Sequence, residues 1–258
     1  MSARILHVAS NTFREAVRDR VLYNLIAFAF LMIGASLLVG QISIGIERNV
    51  LINLGLTAVS LFGIVIAIFI GIGLVSKEIE KRTLYTILSR PVRRWEFILG
   101  KFCGLTGTLV VNTFFMALGV FAALLYVSHH FVTADVYIGE ALYLIVLQFM
   151  LLTAITLLFS SFSSPLLSAV FAFGLYVIGT FSEDLRGFAV MTTGFARWAA
   201  TAAAYVVPNF AALNVISSVA HDQPVPGNLL LYNTLYAVVY AAAAIAGAML
   251  IFERRNLK

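Results

Sequence analysis

The sequence predicts an all-α polytopic membrane protein with six transmembrane helices. Of its 258 residues, 61% are hydrophobic and 11% are charged, whereas roughly a quarter are charged in an average soluble domain. The mean hydropathy is +0.98. The charges are gathered into a few stretches between long apolar runs, and no polar stretch is long enough to fold as a separate soluble domain. Residues 1–258 therefore read as a single transmembrane domain.

A helix crossing about 30 Å of hydrocarbon needs about 20 apolar residues. The runs 22–40, 50–75, 102–127, 138–160 and 229–252 meet this cleanly or nearly. A sixth, 165–181, is shorter but uncharged, with Pro165 at its start. Glu140, at an edge, is the one charge in all six. With a cytoplasmic N-terminus, the segments 1–21, 76–101, 161–164 and 253–258 face inward and hold 14 basic residues. The outward segments 41–49, 128–137 and 182–228 hold 3. That bias implies an inner (plasma) membrane protein with both termini in the cytoplasm. It also directs the net charge of +5 toward membrane lipid rather than nucleic acid.

Before the first run, residues 3–20 form an amphipathic helix. Ile5, Ala9, Phe13 and Val17 make an i, i+4 stripe, opposite Arg4, His7, Asn11, Arg14 and Arg18. Such a helix lies on the membrane with its apolar face in the headgroup boundary. The segment 182–228 is too apolar for an ordinary outer loop, yet Arg197 argues against a full span and Pro208 breaks a helix. Two short helices dipping into the outer leaflet or packing on the bundle fit it. Irregular backbone at that depth must be shielded by protein or face a cavity. Arg197, Trp198, Pro208 and Asn209 are thus candidates for an outer gate.

Several chemistries are missing. No G-x-x-x-x-G-K-[ST] run offers a phosphate loop, and the four histidines make no H-E-x-x-H pattern. The single cysteine, Cys103, excludes an intrachain disulfide and reads as a small buried packing residue. No charged group lies near mid-span, which disfavours an ion-driven carrier. The mid-membrane polar groups include Asn53, Asn112, Thr113, Gln148, Thr153 and Thr156. Interhelical hydrogen bonding is their plainer role. Asn53, Thr57 and Thr153 are the candidates to face a pathway. Energy for any transport must then come from another subunit.

The segment 76–101, SKEIEKRTLYTILSRPVRRWEFILGK, holds ten charged residues, seven of them basic. Glu78 and Arg82 form an i, i+4 pair in the favourable order. Ile79, Thr83 and Ile87 share one face of a helix over 76–89, with Leu84 and Leu88 alongside. Pro91 then turns the chain, pushing Arg90 toward extended geometry. Lys77, Glu80 and Lys81 complete the charged side. A positive-inside anchor explains the basic residues but not the acidic ones, the apolar face or the turn. A short amphipathic helix projecting from the membrane suits docking into a partner's groove.

This segment resembles the cytoplasmic loop of type-2 ABC exporter permeases. The match runs through Glu78, Glu80, Thr83, Leu88, Ser89, Pro91, Gly100 and Lys101. The amphipathic start, the six-span layout and the apolar insertion before the last span extend the resemblance over the chain. It implies a non-catalytic permease subunit, with ATP and Mg bound by a partner and no cofactor bound here. The partners implied are two ABC ATPase subunits and a second permease copy, identical or related. Residues 76–89 would be the coupling helix, 182–228 the re-entrant outer helices, and spans 2 and 5 of two copies would line the pathway. An uncharged interior suits a hydrophobic or lipidic cargo exported by alternating access. A metal- or sulfur-linked cargo and a non-transporting membrane scaffold or assembly factor stay open as alternatives.

Overall fold

The computed structural model describes residues 2–17, 22–42, 46–80, 94–128 and 132–254. Among them the chain is all-helical, without strands. The α-helices in chain order are α1 (Ser2–Ala16), α2 (Leu22–Ile42), α3 (Glu47–Glu80), α4 (Arg94–Ser128) and α5 (Val136–Ser160). They continue as α6 (Pro165–Thr180), α7 (Ser182–Met191), α8 (Gly194–Val206), α9 (Ile216–Ala220) and α10 (Gly227–Arg254).

Four stretches are long and apolar enough to cross a membrane: Glu47–Ile72, Trp95–Ser128, Thr133–Ser160 and Gly227–Glu253. The pair α6 and α7, bent by 57° at the single residue Phe181, makes a fifth if it counts as one span. Within α2, Leu25–Leu38 is a shorter apolar stretch.

The post of the bundle is α5, packed against α3, α4, α6 and α10. Most of its side chains are enclosed, Leu144, Leu151, Leu152 and Leu157 among them, while Val136 and Tyr143 near its start stay exposed. Close packing comes from small residues on its neighbours, as expected where lipid removes the hydrophobic drive between helices. On α10, Ala237, Ala241, Ala244 and Ala248 form a buried stripe, while Leu231, Leu235, Val239 and Leu250 point outward. On α3, a Cβ at Gly63 would overlap the Phe149 ring, and one at Gly71 would come within 2.9 Å of Thr156.

The first helix, α1, has the two faces its sequence predicts, but its apolar side meets protein. Val8 and Thr12 press against Gly100 and Gly104 of α4, where a Cβ would come within 2.6–2.7 Å of them. Thr12 and Ala16 are buried, while Arg4, His7, Asn11 and Arg14 stay exposed. Two glycines one turn apart allow this approach, so the helix side read as lipid-embedded is largely a packing surface. Cys103, on the same stretch of α4, is exposed rather than buried.

The alternation of helices gives the bundle two ends. Phe252 near the end of α10 stacks on Phe97 near the start of α4, with ring centroids 6.0 Å apart. Since α1 also packs beside Gly100, α1 and the end of α10 sit at the end of the bundle where α4 begins. The α2–α3, α4–α5 and α9–α10 connections gather at the opposite end.

Candidate functional site

At that opposite end, Arg48 ties three connections together. Its Nη2 donates to Asp135 Oδ1 at 2.6 Å, and its Nη1 donates to Asp222 Oδ1 at 2.5 Å. The second carboxylate oxygen of Asp135 accepts from the Val132 N–H at 2.9 Å, fixing the turn before α5. Asp222 holds a left-handed backbone, φ +57°, in the turn after α9, a conformation Asp tolerates better than most residues. Glu140, one turn into α5, accepts from the Val225 N–H at 3.3 Å. Two carboxylates against one guanidinium lock the α2–α3, α4–α5 and α9–α10 connections at one point.

Two cavities lie inward of this clamp. The larger, about 1090 Å³, is a groove between α2 and α3 with walls including Phe30, Leu38, Leu54 and Leu61. The smaller, about 410 Å³, lies among α3, α6 and α9 and is lined in part by Ser60, Tyr176, Asn214 and Ser217. Asn53 and Thr57, one turn apart on α3, line both. Two of the pathway candidates are therefore brought together at a shared ridge. Thr153 is not, because it is fully buried in α5.

Among the other mid-membrane polar groups, Gln148 bonds across helices, donating to Tyr176 Oη at 3.2 Å. Thr156 donates to its own helix, to Leu152 O at 2.8 Å. The hydroxyls of Thr113 and Thr153 have no hydrogen-bond partner among the described residues.

The gate candidates separate into two pairs. Pro208 and Asn209 are buried in a corner that joins α6, α7 and α10. Ser182 Oγ donates to Asn209 Oδ1 at 2.6 Å, and the same oxygen accepts from the Ala212 N–H at 3.0 Å. The Asn209 N–H donates to Tyr236 Oη at 2.7 Å, and Asn233 Nδ2 donates to Ala212 O at 2.6 Å. Only glycine fits at 179, since a Cβ there would overlap Pro208 O. Arg197 and Trp198 lie instead on α8, whose Phe195 and Trp198 side chains are 79% and 68% exposed. Gly194, at φ +67°, makes the turn that folds α8 back on α7.

At the other end, α3 does not stop where its apolar run does. It continues as one helix to Glu80, roughly 12 Å beyond Ile72 at 1.5 Å per residue. Lys77, Glu78 and Glu80 thus belong to the same rod as the span, where the sequence had suggested a separate helix from 76 to 89. Lys81, Arg82, Thr83, Leu84, Leu88, Arg90 and Pro91 lie outside the described residues. The Gly-Lys return is well defined. Gly100 admits α1, and Lys101 is buried with its Nζ 5.5 Å from the centre of the Phe97 ring. Arg4 and the buried Glu96 stand 4.0 Å apart, adding charge pairing between α1 and α4.

Sequence reasoning missed the Arg48 clamp. Its signal was present, since Arg48 is the one basic residue in 41–49 and Asp135 the one acid in 128–137. Isolated charges in short connections between spans call for partners, and each other's loops were the available ones. The Asn209 network carried no comparable signal, because its partners include backbone groups.

Comparison with curated proteins gives no match. Residues 6–257 match the model of a family described as "ABC-2 family transporter protein". With nearly the whole helical chain covered, this protein belongs to the ABC-2 transporter family as a multi-pass membrane permease.

Proposed function

We propose that the chain is the non-catalytic membrane half of an exporter driven by separate ABC ATPase subunits. Two permease copies and two ATPases would form the working unit, with ATP and Mg held by the ATPases. The observation that carries this reading is the unbroken run of α3 from the groove and the Asn53–Thr57 ridge out to Glu80. A helix that lines a cavity at one end and carries Lys77, Glu78 and Glu80 at the other couples a push on the charged tip to the cavity wall. The family supplies the ATPase as the natural source of that push.

Six crossings, with α2 and α6 added to the four long spans, put α1, the 76–101 connection and the C-terminus in the cytoplasm. The 14-to-3 distribution of basic residues supports that orientation. Closure of the ATPases on ATP would then drive the α3 tips together and switch the cavities from inward to outward access, with the Arg48 clamp and the α7–α8 hairpin as outer closure. The uncharged cavity walls suit an apolar or lipidic cargo.

The test is affinity purification of the full chain from its native membrane. It should retain a stoichiometric ATP-hydrolysing subunit, and Glu78→Ala combined with Arg82→Ala should release that subunit while the chain stays folded. An intact chain that carries no ATP-hydrolysing subunit sinks the reading and leaves a membrane scaffold in its place.

A further inference from the structure

The groove and the pocket beside it differ in chemistry while sharing one wall. The groove follows α3 from Asn49 to Phe62, about 20 Å at 1.5 Å per residue. That exceeds the roughly 15 Å thickness of one leaflet's hydrocarbon, so it accommodates an extended alkyl chain. Its wall is aromatic and aliphatic, and Gly34 of α2 leaves open space where a side chain would stand. The smaller pocket adds hydroxyls and amides, from Thr57, Ser60, Ser217, Asn53 and Asn214, to apolar walls such as Ile64, Val65 and Phe173. Asn53 is half-buried and Thr57 exposed, so both side chains are open to a ligand at the cavity surface.

Charge is the second discriminator. No Lys, Arg, Asp or Glu lines either cavity among the described residues. The one histidine on the walls, His221, keeps Nδ1 2.7 Å from Ser217 O, one turn earlier in the chain. A charged headgroup would enter a low-dielectric site without a counter-charge, which is costly. An uncharged head bearing hydroxyls or amides would exchange its water for the accessible amide and hydroxyl of the ridge.

We propose that the α2–α3 groove and the pocket beyond Asn53 and Thr57 form one site for an amphiphile. The ligand has an uncharged, hydroxyl- or amide-bearing head in the pocket and an alkyl chain in the groove. This rests on the exporter reading, for which such an amphiphile is the cargo. The ridge separates the two parts: Asn53 and Thr57 meet the head where it joins the chain. The pocket, at about 410 Å³, lies within the roughly 300–1,000 Å³ of sites that hold small organic ligands, and the groove, at about 1090 Å³, extends slightly past it.

The experiment uses the full chain in phosphatidylcholine nanodiscs, with three photoactivatable probes carrying a diazirine in one acyl chain. They are monoglucosyl diacylglycerol, phosphatidylglycerol and phosphatidylcholine. The glucosyl lipid should label α2 and α3 peptides in preference to the other two. Asn53→Leu with Thr57→Val should cut that labelling about tenfold, as expected for losing one to two hydrogen bonds. Gly34→Trp, which fills the groove from an open position, should block groove labelling by every probe. Labelling of the outward face of α10 at Leu235 should stay unchanged in all variants.

Equal labelling of the groove by the three lipids, indifferent to the double substitution, would mean bilayer lipid only and overturn the proposal. Preference for phosphatidylglycerol overturns it as well, in favour of an anionic head. The labelling needs no ATPase, so failure of the exporter reading appears separately, as a chain without an ATP-hydrolysing partner.

Discussion

Arg48 and Asp222 stand 174 residues apart in sequence and share a charge-assisted hydrogen bond, while the second guanidinium nitrogen holds Asp135. The two carboxylates are not equivalent. Asp135 is 11% exposed and Asp222 is 45% exposed. Arg48→Ala strands a nearly buried carboxylate and should cost about 3 kcal/mol. Asp222→Asn keeps a residue that tolerates the left-handed turn and should cost about 1 kcal/mol or less. Thermal unfolding of the purified variants in detergent reads both. Equal losses would contradict the assignment of Asp135 as the principal partner.

The corner around Asn209 offers a second measurement. One side-chain oxygen serves both the Ser182 hydroxyl and the Ala212 N–H. Asn209→Ala leaves both donors without that acceptor, at about 1–3 kcal/mol for the buried groups. Hydrogen exchange should speed up first at Phe210–Leu213, before the amides of α5 respond. Gly179→Ala should act at the same place, because its methyl would meet Pro208 O. Uniform acceleration throughout the bundle would show instead that the corner is not a separate unit.

Packing of α3 on α5 rests on the fit between Gly63 and the Phe149 ring. Gly63→Ala favours helix by about 1 kcal/mol in propensity, yet it forces overlap with an aromatic side chain that is 1% exposed. Overpacking of this kind costs about 1–3 kcal/mol, so the packing term is expected to win. Phe149→Leu in the same chain should restore part of the loss. Thermal midpoints of the two single variants and the pair give the coupling, and strict additivity would rule the contact out.

These contacts mark how far the sequence was legible. Runs without charge announced the long helices, because a helix in hydrocarbon must hide its backbone bonds and carry apolar side chains. The same runs are silent about which face meets protein. Periodicity on α10 cannot separate Ala241 from Val239, since lipid and helix interior are equally apolar. Small residues held the missing information, and Gly100, Gly104 and Gly63 mark close approach once the partner is known. Fourteen basic residues spoke for an orientation, but nothing in Arg48 named Asp135 and Asp222. Of the pathway candidates, Asn53 and Thr57 share a ridge because they lie four residues apart on one helix. Thr153 looked the same by composition and is enclosed.

The gate candidates give the sharpest separation of folding from function. Arg197 and Trp198 lie on α8, outside the corner that holds Pro208 and Asn209. Arg197→Ala and Trp198→Ala remove side chains from an exposed surface and should change stability by no more than about 0.5 kcal/mol. If α8 belongs to the outer closure, both variants should retain the ATPase subunit in equal amount while losing cargo-stimulated ATP hydrolysis. Asn209→Ala should instead lower the unfolding midpoint and reduce both readouts together. Measuring subunit retention, unfolding and stimulated hydrolysis on one preparation distinguishes these patterns. Loss of the ATPase from Trp198→Ala would exclude α8 from an outer closure, because the proposed docking residues Lys77, Glu78 and Glu80 lie at the far end of α3 from the Arg48 clamp.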